Sequence, residues 1–272
     1  MARTRDSLST TTRWSLFVGF TVVALAATAL APRIAQPLSY HDFADQRSML
    51  GVANALNVLS NIPFLIVGVW GLWWMSRRDS EPRFREPLER WPARAIFFGL
   101  LTTGLGSAYY HLEPNNHTLV FDRLGMIVGF MPIVPLAIAE RGNARWGAWM
   151  LPPMIALGAG TVLLWNHSES VGAGDLRWYF LAQAYAFVAT VGILILTRPG
   201  YDRQWMWLAA IGGYALAKVA ELLDRQIFNG TGRLVSGHSI KHVVAAVGAY
   251  FLLRMFQQRT TVTQIDAARF NR

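Results

Sequence analysis

Cysteine is absent from the 272 residues. That excludes disulfides and thiolate metal sites, so a transition metal would have to use His, carboxylate or water. Charge is scarce too. Asp, Glu, Lys and Arg make up 15% of the chain, against about 25% in a soluble domain, which is too few to coat a water-facing surface. There is no basic tail, nucleic-acid motif, internal repeat or low-complexity segment. The net charge of +9 therefore does not point to nucleic acid, because its basic residues sit in short loops between apolar runs. No long polar insertion separates those runs.

What remains is 53% hydrophobic, with a mean hydropathy of +0.28. Apolar windows of about 20 residues recur along the whole length, which is the pattern of a polytopic helical membrane protein. Eight spans are predicted: Trp14–Ala31, Gly51–Met75, Trp91–Tyr110, Thr118–Ala139, Trp146–Trp165, Leu176–Thr197, Gln204–Leu223 and Gly237–Phe256. The expected fold is an all-α integral membrane protein with a seven-helix core and one extra N-terminal helix. Residues 1–35 would hold the extra helix, 36–257 the core and 258–272 a cytoplasmic tail. The many Trp read as interfacial anchors.

Basic residues set the orientation. Alternate segments carry Arg3, Arg5 and Arg13; Arg77 to Arg94; Arg141 and Arg145; Arg198 and Arg203; and Arg254 to Arg272, which is 17 of the 25 Lys and Arg. The opposite segments hold only Arg33, Arg47, Arg123, Arg177, Arg225 and Arg233. Both termini are therefore expected in the cytoplasm. The first span resembles a secretory signal ending in "ALA" at Ala29–Ala31, but Pro32 would follow the cleavage point directly, so a retained helix is expected.

Ionisable residues inside membrane spans are functional candidates by default. With this topology, Ser107 and His111 close the third span at the outer face and Asp122 opens the fourth from it. His238 and His242 open the eighth, and Asp42, Asp45, Asn54 and Asn57 precede or begin the second. Four separate segments thus bring polar residues to one depth. Ser107 and His111 are four apart and share a helical face, as do His238 and His242. Two His at i, i+4 with a third from a neighbouring helix give three nitrogen ligands and an open position, the arrangement of a catalytic zinc.

The other polar residues read more plainly. His41, His117 and His167 are expected to be capped or solvated, and Glu113 to lie in a solvated turn. Lys241 projects between the two histidines of its helix. Lys218, Glu221 and Arg225 are spaced to neutralise one another, and Asp224 lies near the polar cluster.

The set Ser107-x-x-Tyr110-His111, Asp122 and His238-x-x-x-His242 resembles the signature of the alkaline ceramidase superfamily. That superfamily also takes in adiponectin-receptor-like and GPI-lipid remodelling proteins. The likeness spans roughly Tyr40 to Phe256, and "HDFADQR…NALNVLSN" is similar to the N-terminal segment of the ceramidase branch. It suggests a bacterial-type, alkaline phytoceramidase-like member.

The resemblance implies seven core helices with zinc held by His111, His238 and His242 near the non-cytoplasmic end. It implies catalytic roles for Ser107 and Asp122 beside a metal-bound water. It also implies a calcium site on Asp42, Asp45 and Asn54, with the Phe43 carbonyl and a group near Arg47, although the family is more acidic there. Oxygen ligands suit Ca²⁺; the alternative is that Asp42 and Asp45 cap the second span or pair with Arg47.

The implied reaction is hydrolysis of ceramide, or a ceramide-like N-acyl lipid, to fatty acid and long-chain base. The implied partners are a membrane lipid substrate and the bilayer, with neither nucleic acid nor a protein partner. The alternative is a lipid-sensing receptor on the same scaffold. Haem ligation would call for paired His on facing helices or at both leaflets and leaves Ser107 and Asp122 idle. A retinal Schiff base on Lys218 or Lys241 has no other support.

Overall fold

The computed structural model describes residues 9–262. Arg3, Arg5, Arg269, Arg272 and residues 263–272 of the expected tail lie outside the described residues. Among these, the helices are α1 (Thr10–Leu30), α2 (Ala55–Leu59), α3 (Ile62–Ser76), α4 (Arg90–Leu112), α5 (Asn116–Phe130), α6 (Ile133–Arg141), α7 (Ala144–Ser170), α8 (Arg177–Leu196), α9 (Trp205–Leu222), α10 (Asp224–Gly230) and α11 (Gly237–Gln258). Strand pairing is limited to two isolated bridges among the described residues. Large apolar side chains such as Trp149, Leu157 and Leu208 are exposed on the outward helix faces. Water would not tolerate so much exposed apolar surface, whereas lipid does.

The chain is an all-α, multi-pass membrane protein. Six helical stretches are long and apolar enough to cross a bilayer: Thr10–Leu30, Ala55–Ser76, Asn116–Arg141, Ala144–Ser170, Arg177–Leu196 and Gly237–Gln258. A seventh counts if α9 and α10, bent by 76°, form one span. The third expected span, α4, is 23 residues long but is not among them. It carries two Thr, two Tyr, Ser107 and His111, and these lower its apolarity.

Three breaks were not evident in the apolar runs. The second segment is interrupted at Ser60 and Asn61, and the fourth at Met131 and Pro132, where proline lacks an N–H and clashes with the preceding turn. The third break is the bend after α9, which turns α10 away from the α9 axis. α1 has no buried residue. It lies against α8 through a Thr21–Tyr185 hydrogen bond of 2.8 Å and the stacked rings of Phe20 and Tyr185, as a helix outside the core.

The core pairs that matter for the site are α4 with α5 and α9 with α11. The turn between α4 and α5 is built by an Asn115–Thr118 capping box, in which each side chain accepts the other's backbone N–H. Two glycines then set how closely the helices approach. A Cβ on Gly106 would lie 2.3 Å from the Phe121 carbonyl oxygen, and one on Gly237 2.2 Å from that of Ala220. Each glycine directly precedes a candidate site residue, Ser107 or His238, so close packing carries both into the interhelical space. Gly106→Ala is expected to cost about 1–3 kcal/mol of stability through overpacking, read as a lower thermal midpoint in detergent. Gly19→Ala, with nothing within 4 Å of its Cβ, leaves the midpoint in place.

Candidate metal centre and cavity

Three helix ends meet at one end of the bundle. His111 comes from the last turn of α4, and His238 and His242 from the first two turns of α11. All three are buried. Their candidate ligand nitrogens lie within 4.8 Å of one another, and Nε2 of His111 is 3.2 Å from Nε2 of His238. Among the described residues this is the group of His, Asp or Glu able to hold a metal.

The donor set fits zinc. It is three neutral nitrogens with no thiolate. Nδ1 of His111 is buried with no hydrogen-bond partner, and its Nε2 faces that of His238. His242 turns Nδ1 to Ser60 Oγ at 2.8 Å, which frees its Nε2 and fixes the ring in the way that outer partners orient metal-binding imidazoles.

Backbone contacts fix the start of α11. Ser236 caps it by accepting the Ser239 N–H at 3.1 Å. Asp224, in the first turn of α10, accepts the N–H of His238 at 2.7 Å and that of Ala44 at 2.8 Å. The buried Asn57 donates to the Asp45 carbonyl at 2.9 Å and accepts from Ser239 Oγ at 2.9 Å. Asn57 and Ser60 of the "NALNVLSN" run thus hold the loop and α11 together.

Phe43 roofs the centre, its ring 4.7 Å from that of His111 and 4.4 Å from that of His238. With the loop side closed, the opening faces a cavity of about 330 Å³ between the helices. Ser107, Asp122 and His242 line it at the histidine end, and Phe130, Phe187 and Leu252 deeper in. That volume is within the range of small-molecule sites, roughly 300–1,000 Å³. Ser107 and Asp122 are both buried in the wall of this cavity.

The four residues expected to hold calcium instead have protein partners. Asp45 pairs with Arg47, Nη2 to Oδ2 at 2.7 Å, and this hydrogen bonding holds its carboxyl below the usual carboxylate range. Asp42 pairs with Arg225, Asn54 donates to the His111 carbonyl at 2.9 Å, and the Phe43 carbonyl accepts from Gln46 at 3.1 Å. Nothing in the structure supports a calcium cradle there. The pairing of Asp45 with Arg47 is the alternative that the sequence also allowed.

The expected Lys218–Glu221–Arg225 set is half present. Lys218 pairs with Glu221, but the bend after α9 carries Arg225 to Asp42. Its place on Glu221 is taken by Lys241, at 2.9 Å. Lys241 also lies 3.1 Å from Nε2 of His238. His41 is only half buried, but it bridges Tyr110 OH at 2.8 Å and Asn116 Oδ1 at 2.9 Å. An amide oxygen can only accept, so Nε2 carries the proton and Nδ1 accepts from the phenol. Burial lowers the His41 pKa, which keeps the ring neutral for that bridge. Glu113 and His117 are exposed as expected, and His167 is exposed on the last turn of α7.

Ser60, Glu221 and Arg123 went unrecognised as site residues in the sequence. Only the depth of Ser60, within the Asn-x-x-Ser-Asn run, offered a signal.

Fold and site together define a multi-pass membrane protein with a histidine centre, competent for a metal, at the end of a largely apolar cavity. A family model described as Ceramidase matches residues 45–271. The chain belongs to the ceramidase family, which places it among hydrolases of lipid amides. No curated protein and no solved structure matches it.

Proposed function

We propose that this chain is a zinc-dependent hydrolase that cleaves ceramide, or a ceramide-like N-acyl lipid, into a fatty acid and a long-chain base. The observation that supports it is the cluster of three buried imidazoles, one of which, His242, lines a cavity together with Ser107 and Asp122. His111, His238 and His242 would hold the metal. A bound zinc lowers the pKa of a water towards about 7 and polarises a carbonyl.

The protein's own groups do the rest. Asp122 takes the proton of the attacking water and delivers it to the leaving nitrogen, acting as base and then acid. Ser107, beside Asp122 in the cavity wall, donates its single hydroxyl proton to the developing oxyanion. The acyl chain lies along the apolar depth of the cavity, and Phe43 keeps loop-side water away from the centre. We read the histidine end as the periplasmic or lumenal face, with both termini cytoplasmic, from the one-sided distribution of Arg.

The test is purified full-length protein incubated with a panel of ceramides, with products followed by mass spectrometry and metal measured on the same sample. Release of long-chain base by zinc-bearing protein supports the reading, and intact lipids after incubation with zinc-loaded protein overturn it. Ser107→Ala is expected to lower kcat by about 10²–10³ with zinc content retained.

A further inference from the structure

The cavity is not electrically bland. Arg123, Lys218 and Lys241 line it, against the carboxylates of Asp122 and Glu221. A further carboxylate, Asp224, is turned onto the backbone N–H groups of Ala44 and His238 and is not part of the cavity wall. Cations exceed anions in this wall even before a metal adds its charge. A charge kept inside a membrane protein is costly and marks a pathway or a binding site.

The cations are not equivalent. Arg123 is boxed by Trp165, Tyr179 and Tyr40, with its guanidinium carbon 3.9 Å from the Trp165 ring centre, and it donates to Gln36. Its setting is an aromatic cage. Lys218 is half exposed and rests on Glu221. Lys241 is mostly buried, and its ammonium reaches both Glu221 at 2.9 Å and Nε2 of His238 at 3.1 Å. A metal held by that imidazole nitrogen takes the lone pair to which Lys241 donates. The ammonium then keeps Glu221, which it shares with Lys218, and has N–H donors left over beside the reaction centre.

We propose that Lys241 binds an acidic group on the amine side of the scissile amide, so that the site also accepts N-acyl lipids bearing a carboxylate next to the amide nitrogen and prefers them to lipids with a neutral head of the same size. This rests on the hydrolase reading above and adds a further substrate class to it. An amide at the histidines puts a group one carbon beyond its nitrogen within reach of an ammonium that contacts one of those histidines. Water adds across the C–N bond: its hydroxyl goes to the acyl carbon, giving a fatty acid, and its proton to nitrogen, giving an amino acid. Glu221 positions Lys241 and keeps it from folding back to the opposite wall.

N-palmitoylglycine and N-palmitoylethanolamine share the acyl chain, the amide and the fatty-acid product, and differ in the charge of the head. Purified full-length protein is expected to favour the acid by at least about tenfold in kcat/KM. The ratio should fall towards unity in Lys241→Met and persist in Lys241→Arg. Equal or faster turnover of the neutral lipid overturns the proposal and leaves amide hydrolysis standing, as does a ratio that survives Lys241→Met.

Binding of N-palmitoylglycine to metal-free protein, by calorimetry in neutral detergent, decides the matter if no amide is cleaved. Binding at least about tenfold weaker in Lys241→Met upholds the acidic-group site while the hydrolase reading fails. Equal binding in both proteins removes the site as well.

Discussion

His238→Ala is expected to abolish amide hydrolysis and to strip most of the zinc from the purified protein. The imidazole has no replacement at its position. It is buried between the rings of Phe43, His111 and His242, and the nearest other nitrogen is the Lys241 ammonium, which has no lone pair to offer. Two imidazoles would remain where a catalytic zinc needs three protein ligands.

A graded counterpart comes from Ser60, which touches the centre only through Nδ1 of His242. Ser60→Ala should weaken zinc binding by about 10–100-fold without removing a ligand. Metal content, read by elemental analysis at limiting free zinc, separates the two variants. Activity and bound zinc both unchanged in His238→Ala would sink the centre as described. Zinc retained with activity lost would instead assign His238 to the chemistry rather than to the metal.

The contrast between His238 and Ser60 shows what a linear reading could reach. Each expected apolar span corresponds to a helical stretch, because a window of about 20 apolar residues has little other choice in lipid. The three histidines were legible for the same reason: helix ends at matched depth meet wherever the helices pack. Ser60 was visible only as part of a short polar run, since pairing it with His242 requires the rotation of α11 about its axis.

The Glu221–Lys241 contact was hidden by the bend after α9. Spacing alone assigned Glu221 to Lys218 and Arg225, four residues apart or fewer, but Arg225 lies beyond the bend and reaches Asp42. The same bend gives Asp42 a partner, Arg225, brought from far along the chain. α4 shows the opposite limit. Its Thr, Tyr, Ser and His residues make it a poor span by composition, yet Thr103 and Ser107 line the cavity and His111 joins the histidine cluster.

The end of the bundle opposite the histidines supplies the second large effect. Arg259, just past the end of α11, and Glu140, near the end of α6, form an ion pair whose side chains are 0% and 1% exposed. The guanidinium lies 3.9 Å from the Tyr201 ring centre and 4.4 Å from that of Phe84, and its Nε donates to the Arg83 carbonyl at 2.8 Å. Trp207 donates to the other carboxylate oxygen of Glu140, and Arg85 to its backbone carbonyl. The pair therefore ties the end of α11 to α6, α9 and the connection before α4.

Removing one member leaves a buried charge without its partner. Arg259→Leu is thus expected to cost about 3–5 kcal/mol, seen as a fall in the unfolding midpoint in detergent. Arg259→Leu with Glu140→Leu removes both charges and should recover most of that loss, since apolar pairs replace buried ion pairs at little or no cost. A double variant as unstable as the single one would mean that the hydrogen bonds to Arg83 and Trp207, rather than the unpaired charge, hold this end. Zinc content should be unaffected by either variant that folds, because no residue of this knot touches the histidine centre.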